Sequence, residues 1–171
     1  MKKKVKSDLK KSVKIFASVV WPRIRWSLGG GEYVSVERRD SPLCNLLDVA
    51  AGIDGFQVHD GQVYGISSRV QYGKSYDTFT IRSYRPGGVM TELNKRLRSI
   101  RSGSLYPYWT IQAYVDGDKL LSFCAARTTE LYAVLGDKCV RTLTSPEGQR
   151  FLVVPWRIVP GAIIQDFSEN D

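Results

Sequence analysis

The stretch from Gly52 to Gln71 constrains the fold of this chain more than any other. Ile53, Phe56 and Val58 run into His59-Asp60-Gly61, and an Asp-Gly pair between apolar runs is a strong hairpin signal. Gly52-Ile53-Asp54-Gly55 places an acidic residue at the entry of the first strand. The returning strand, Val63 to Gln71, presents Ser67, Arg69 and Gln71 on one face by two-residue alternation. One carboxylate is thereby set beside a short row of polar side chains.

Upstream, Leu9, Val13, Phe16 and Val20 have helical spacing over roughly Ser7 to Trp26, with lysines interleaved. Ser7 suits the cap of that helix, and Pro22 is expected to break or kink it near Trp21. Gly29-Gly30-Gly31 reads as a flexible break, because it lacks the Lys-Ser/Thr ending of a phosphate loop. Tyr33 to Glu37 fits a short strand or a helix start. Leu43, Leu46, Leu47 and Ala50 then fit a helix capped by Asp40 or Ser41 and ended by Gly52.

Downstream, Thr78 to Tyr84 is a third strand of the central run, closed by Arg85-Pro86-Gly87-Gly88. Val89, Leu93, Leu97 and Ile100 define the apolar face of a helix, and Lys95, Arg96, Arg98 and Arg101 cover its other side. Tyr108 to Val115 and Leu120 to Ala126 are strands around Asp116-Gly117, and Thr128 suits the cap of a short helix through Leu135. Phe151 to Val159 is a strand interrupted by Pro155, which argues for an edge or a bend. The expected organisation is a basic helical segment at 1–28, an α/β core at 29–165 with a central mixed sheet flanked by helices, and a frayed acidic tail at 166–171.

The chain carries a net charge of +8 over 171 residues, with a hydrophobic fraction of 43%. That composition is globular, and the basic surplus favours a polyanionic partner. Nothing approaches an apolar span of about 20 residues, so no transmembrane segment is expected. Cys44, Cys124 and Cys139 are odd in number and widely spaced, which suggests reduced thiols and a cytoplasmic setting. His59 is the only histidine, which removes the usual histidine-based catalytic and metal constellations.

The order helix, three strands, helix, strand, with Gly-Ile-Asp-Gly at a strand entry, resembles the PD-(D/E)XK nuclease superfamily and its Mrr-type restriction-endonuclease branch. The resemblance covers roughly Leu43 to Val115. In that branch Gly-x-Asp-Gly is followed in the next strand by Gln-x-Lys or Glu-x-Lys; here Ser67-Ser68-Arg69 stands in its place. The resemblance implies a restriction-endonuclease-like fold in which Asp54 holds Mg²⁺. Phosphodiester cleavage needs carboxylates for the ion, which lowers the pKa of an attacking water. Ser67 is a weak ligand. Arg69 stays protonated and suits clamping a phosphate rather than taking a proton. Gln71 is a candidate amide ligand, and Glu37, Glu32 or Asp48 a candidate second carboxylate. Each also has a plainer reading: Asp54 as a turn residue, Arg69 as its cross-strand ion-pair partner, Glu37 as a solvated charge.

Basic residues concentrate in two places: Lys10, Lys11 and Lys14 near the N-terminus, and Arg82 and Arg85 leaving the third strand with Lys95, Arg96, Arg98 and Arg101 on the helix that follows it. With Tyr72, Tyr76, Tyr84 and Tyr106 nearby in sequence they suit phosphate contact and base stacking. The expected function is nucleic-acid binding, DNA before RNA, with metal-dependent endonuclease activity if Mg²⁺ is held. The alternatives are a catalytically inactive nuclease-like subunit that binds DNA or RNA among other protein subunits, and a structural protein-interaction module.

Overall fold

A computed structural model describes residues 11–36 and 41–167 of the chain. Lys10 and Glu37, with the caps Ser7 and Asp40, lie outside the described residues. The N-terminal helical segment, α1 (11–28), continues through Pro22 instead of ending there. Proline lacks an N–H, and its ring clashes with the carbonyl four residues back. The chain meets this with a wide π turn over Phe16–Val20, so that the Trp21 N–H donates to the Phe16 carbonyl. The helix then resumes with Pro22 in its first turn.

Gly29-Gly30-Gly31 is a fastened turn. The buried Gln57 side chain donates to the Leu28 and Gly30 carbonyls at 2.8 and 2.7 Å, and accepts from Trp109 Nε1 at 3.1 Å. One amide thereby ties the end of α1 to two strands of the sheet.

The chain next forms β1 (Glu32–Ser35), α2 (42–51), β2 (Gly55–His59) and β3 (Gln62–Tyr72). Ser41 caps α2 through its hydroxyl, which accepts from the Cys44 N–H at 3.1 Å. Gly52 ends α2 in the left-handed conformation. β1, β2 and β3 are antiparallel neighbours, and the Asp60-Gly61 turn joins the last two. α3 (Glu92–Ser102) crosses to β5 (Trp109–Asp116), which lies parallel to β3. β6 (Lys119–Arg127) returns antiparallel, and β9 (Ile163–Asp166) completes a six-stranded mixed sheet in the order β1-β2-β3-β5-β6-β9.

One strand expectation is corrected, and of the two alternatives at Pro155 the bend holds and the edge does not. β4 (Thr78–Tyr84) does not join the central sheet. It pairs with β8 (Arg150–Pro155), which pairs with β7 (Arg141–Thr144), in a separate three-stranded sheet. β8 is therefore a middle strand, and Pro155 ends it at the bend into a short 3₁₀ turn, Trp156–Ile158. Thr128 opens α4 (Thr128–Ala133) without capping it; its hydroxyl shares a hydrogen bond with that of Thr110 at 2.8 Å.

Alternation along the central sheet divides the molecule into layers. Ile66 and Val70 of β3 join Ile111, Ala113 and Val115 of β5 and Phe123 and Ala125 of β6, and α1 packs Phe16, Val20 and Ile24 against them. The segment at 11–28 is thus part of the same core as the sheet. On the opposite face Tyr114, Cys124 and Ala126 pack against Phe79, Ile81 and Val154 of the small sheet, with Trp156 and Leu131. Toward β3 this second face turns polar, with Ser67, Arg69, Thr110 and Gln112 under β4 and α3. All three cysteines are free. No described helix is long and apolar enough to cross a membrane.

Gly55 is required sterically. A Cβ there would lie 2.3 Å from the Tyr33 ring, which packs edge-on against Phe16 at 5.0 Å between ring centroids. Gly55→Ala is expected to cost roughly 1–3 kcal/mol of stability, read as a lower urea midpoint at unchanged slope. An unchanged midpoint would show that Tyr33 yields freely.

Candidate functional site

A cavity of about 270 Å³ opens where β3, β5, β4 and α3 meet. Among the described residues it is lined by the carboxylates of Asp48, Asp54 and Glu92 and by five cations, Arg69, Arg82, Arg85, Lys95 and Arg96. Asp54 is fixed from both sides before its side chain is considered. Its N–H donates to the Ile66 carbonyl at 2.8 Å, and its own carbonyl accepts from the Val36 N–H at 3.1 Å. The carboxylate Oδ2 accepts from the Ser68 N–H at 2.6 Å.

This carboxyl is pushed up to about 7 from its ordinary 3.8. Burial is the main cause; the Ser68 N–H and Arg96 pull the other way, and the nearby charges of Asp48 and Glu92 add to the rise. Asp54 is therefore close to half-ionised at neutral pH, the range in which a carboxyl can both give and take a proton.

Arg69 is not the ion-pair partner of Asp54. Its Nη1 donates to the Thr80 carbonyl at 2.6 Å and to Thr80 Oγ1 at 2.9 Å, and its Nη2 pairs with Glu92 Oε2 at 3.1 Å. Glu92 is the carboxylate that sequence reading missed. It sits in the first turn of α3, capped by the Thr91 hydroxyl accepting from the Asn94 N–H. An acidic residue there has an ordinary explanation in the helix dipole, which hid it. Gln112 was also missed. It is 1% exposed, its Oε1 accepts from the Thr80 N–H at 3.4 Å, and its Nε2 has no partner.

The expected site residues separate on placement. Asp54, Asp48, Ser67 and Arg69 line this cavity, as do Arg82, Arg85, Lys95 and Arg96. Gln71 does not: its amide donates to Thr80 Oγ1 at 3.4 Å, and it lines a neighbouring cavity. Glu32 is exposed on β1. Arg96 is 3% exposed, not a surface cation, and donates to the Ala51 and Gly52 carbonyls. Arg98 and Arg101 are exposed outside the cavity, and Lys11 and Lys14 lie on α1.

Arg82 is half-buried, and its pKa is lowered by that burial and then by the guanidiniums of Arg85 and Arg69, with Glu92 opposing. Its Nε has no hydrogen-bond partner. Crowded, partly desolvated guanidiniums of this kind are stabilised by an anion placed among them.

Among the described residues no group of three or more His, Cys, Asp or Glu side chains could by itself hold a metal ion. Mg²⁺ takes as few as one or two carboxylates and completes its shell with water and substrate phosphate. Asp54 with Asp48 or Glu92 would be the carboxylates to hold it, and the repulsion that adds to the burial-driven rise of the Asp54 carboxyl is what a cation would relieve. No family model, no curated protein and no solved structure matches this chain.

A raised carboxyl pKa means that the folded state holds its proton more tightly than the unfolded chain. The Asp54 carboxyl therefore destabilises the fold increasingly as pH rises from about 4 through 7. Asp54→Asn keeps the acceptor for Ser68 and removes the charge. We expect it to stabilise the protein by roughly 2–4 kcal/mol at pH 8 and by almost nothing at pH 4. Denaturation series at the two pH values check this; an equal effect at both would place the cause elsewhere.

Proposed function

We propose that the protein binds nucleic acid through a nuclease-like PD-(D/E)XK core and cleaves phosphodiester bonds with a divalent metal. The observation that carries this reading is the single cavity in which Asp54 and Glu92 meet Arg69, Arg82 and Arg85. The crossover of α3 between parallel β3 and β5 supports it, because that connection brings the Asp54 turn, the Ser67-Ser68-Arg69 strand and Glu92 together.

In this reading Asp54, with Asp48 or Glu92, holds Mg²⁺, which when bound supplies charge neutralisation at the phosphate and acidifies a water. The chain's own residues do the positioning. Arg82 and Arg85 receive the phosphate, which neutralises their mutual repulsion. Arg69 has a fixed guanidinium plane, set by Thr80 and Glu92, that faces the same space.

A second reading is favoured by one specific observation. Arg69 cannot act as a base, and its pairing with Glu92 occupies a carboxylate that cleavage would need. The protein is then a nuclease-like subunit that binds and does not cut.

The deciding experiment incubates labelled duplex DNA, single-stranded DNA and RNA with the protein in Mg²⁺ or Mn²⁺, with EDTA controls. Cleavage is expected with metal and is expected to fall at least a hundredfold in Asp54→Asn and Glu92→Gln. The same ions should raise the melting temperature of the wild type at pH 8 and leave that of Asp54→Asn unchanged. Arg82→Ala should weaken nucleic-acid binding across all sequences and reduce the salt slope by about one. Intact but bound nucleic acid would select the non-cutting subunit. Absence of binding at any salt would overturn both readings.

A further inference from the structure

Next to the carboxylate–arginine cavity lies a second one of about 610 Å³, lined by Lys11, Gln71, Tyr72, Tyr76 and Tyr114 among others. Thr80 of the first links them: its Oγ1 accepts from Arg69, which lines the first, and from Gln71, which lines the second. A third, of about 770 Å³, carries Lys138, Arg141 and Arg157 and shares Tyr76 with the second. Tyr76 thus lines two cavities, one carrying Lys11 and the other three cations.

We infer that Tyr76 and Tyr72 form a base-stacking platform and that the ligand is a single-stranded nucleic acid running from the Arg82 cavity across them. The inference rests on the nucleic-acid reading above and specifies its substrate class.

The loop that presents Tyr76 is pinned at Gly73, Ser75 and Asp77. The Gly73 N–H donates to the Val115 carbonyl at 2.9 Å, Ser75 Oγ accepts from Ser122 Oγ at 2.6 Å, and the Trp156 N–H donates to the Asp77 carbonyl at 2.9 Å. Asp77 holds a positive φ of 50°, so the backbone turns sharply just after the tyrosine. On this anchored loop Tyr76 is nonetheless 68% exposed, its ring braced edge-on by Tyr114 at 6.1 Å between centroids. An aromatic side chain held rigidly in solvent loses little entropy on receiving a flat ligand. Tyr72 is 43% exposed at the end of β3, with Lys11 Nζ 4.6 Å from its ring centroid.

Cations beside exposed rings match the two halves of a nucleotide, phosphate and base. A duplex buries its base faces in its own stack and offers such a platform only phosphates. An unpaired strand offers both.

The test measures binding in EDTA, so that no cleavage intervenes, to a fluorescein-labelled single strand and to a duplex of the same sequence. A second single strand carries 2-aminopurine, whose fluorescence is quenched by stacking. We expect the wild type to prefer the single strand and to quench the probe. Tyr76→Leu should lose about tenfold in single-strand affinity and most of the quenching, with duplex affinity unchanged, and Tyr76→Trp should recover both. If Tyr76→Leu leaves single-strand affinity and quenching as they were, the platform is refuted while the Arg82 cavity stands on the effect of Arg82→Ala. If the wild type binds neither strand form, the nucleic-acid reading itself falls and the platform with it.

Discussion

One buried guanidinium joins the two halves of the cavity, and the arrangement of its charged groups follows from it. Arg96, inside α3, donates to the Ala51 and Gly52 carbonyls at the end of α2. Those carbonyls have no partner within their own helix and would otherwise be buried unsatisfied. The bond fixes α3 against the turn that delivers Asp54 into β2. Glu92 lies one helical turn before Arg96, and the same constraint aims it into the cavity. Gly52 is doubly determined here: it adopts a φ of +61°, and a Cβ would meet Arg96 Nη1 at 2.9 Å. The sequence pattern that ends α2 is therefore also the pattern that admits the arginine.

The cavity this builds is electrostatically uncomfortable in both signs. Asp54 is raised by burial and by two neighbouring carboxylates, while Arg82 is lowered by burial and by two neighbouring guanidiniums. A pocket that existed only to hold the fold together would pair these groups off. Only one ion pair of the cavity, Arg69 with Glu92, is formed among the described residues. Gln112 adds a buried amide with an unpartnered Nε2. Groups left unneutralised at a concave, partly desolvated site mark a place where a charged ligand completes the structure.

Much of this could be read from the chain, and the omissions share one cause. The Asp60-Gly61 hairpin, the Ser41 cap, the Gly52 stop and the helix over Glu92–Ser102 are local signals and stand where their residues place them. What local signals do not carry is the partner of a strand. Thr78 to Tyr84 has strand composition, but its neighbour in space is β8, whose residues come some seventy positions later. Arg96 has the sequence look of a solvated helix charge, because the carbonyls that bury it belong to another helix. Glu92 was hidden differently, since a first-turn acid already has a capping explanation. Asp54 was legible because its glycines, its turn and its strand all lie within a few residues of it.

Under the proposed function, Arg69 stands where the pattern the sequence resembles has a lysine, and it can clamp a phosphate but cannot take a proton. Lysine in a desolvated site titrates into the neutral range and can serve as a base; arginine does not. In return the guanidinium is planar and forked. It spends one Nη on Thr80 and the other on Glu92, and so holds β3, β4 and α3 in one arrangement. Under the proposed function a positioning role is what this geometry leaves to Arg69. Ser67 brings no carboxylate to the cavity from β3, whereas Glu92 brings one from α3, paired with the same arginine.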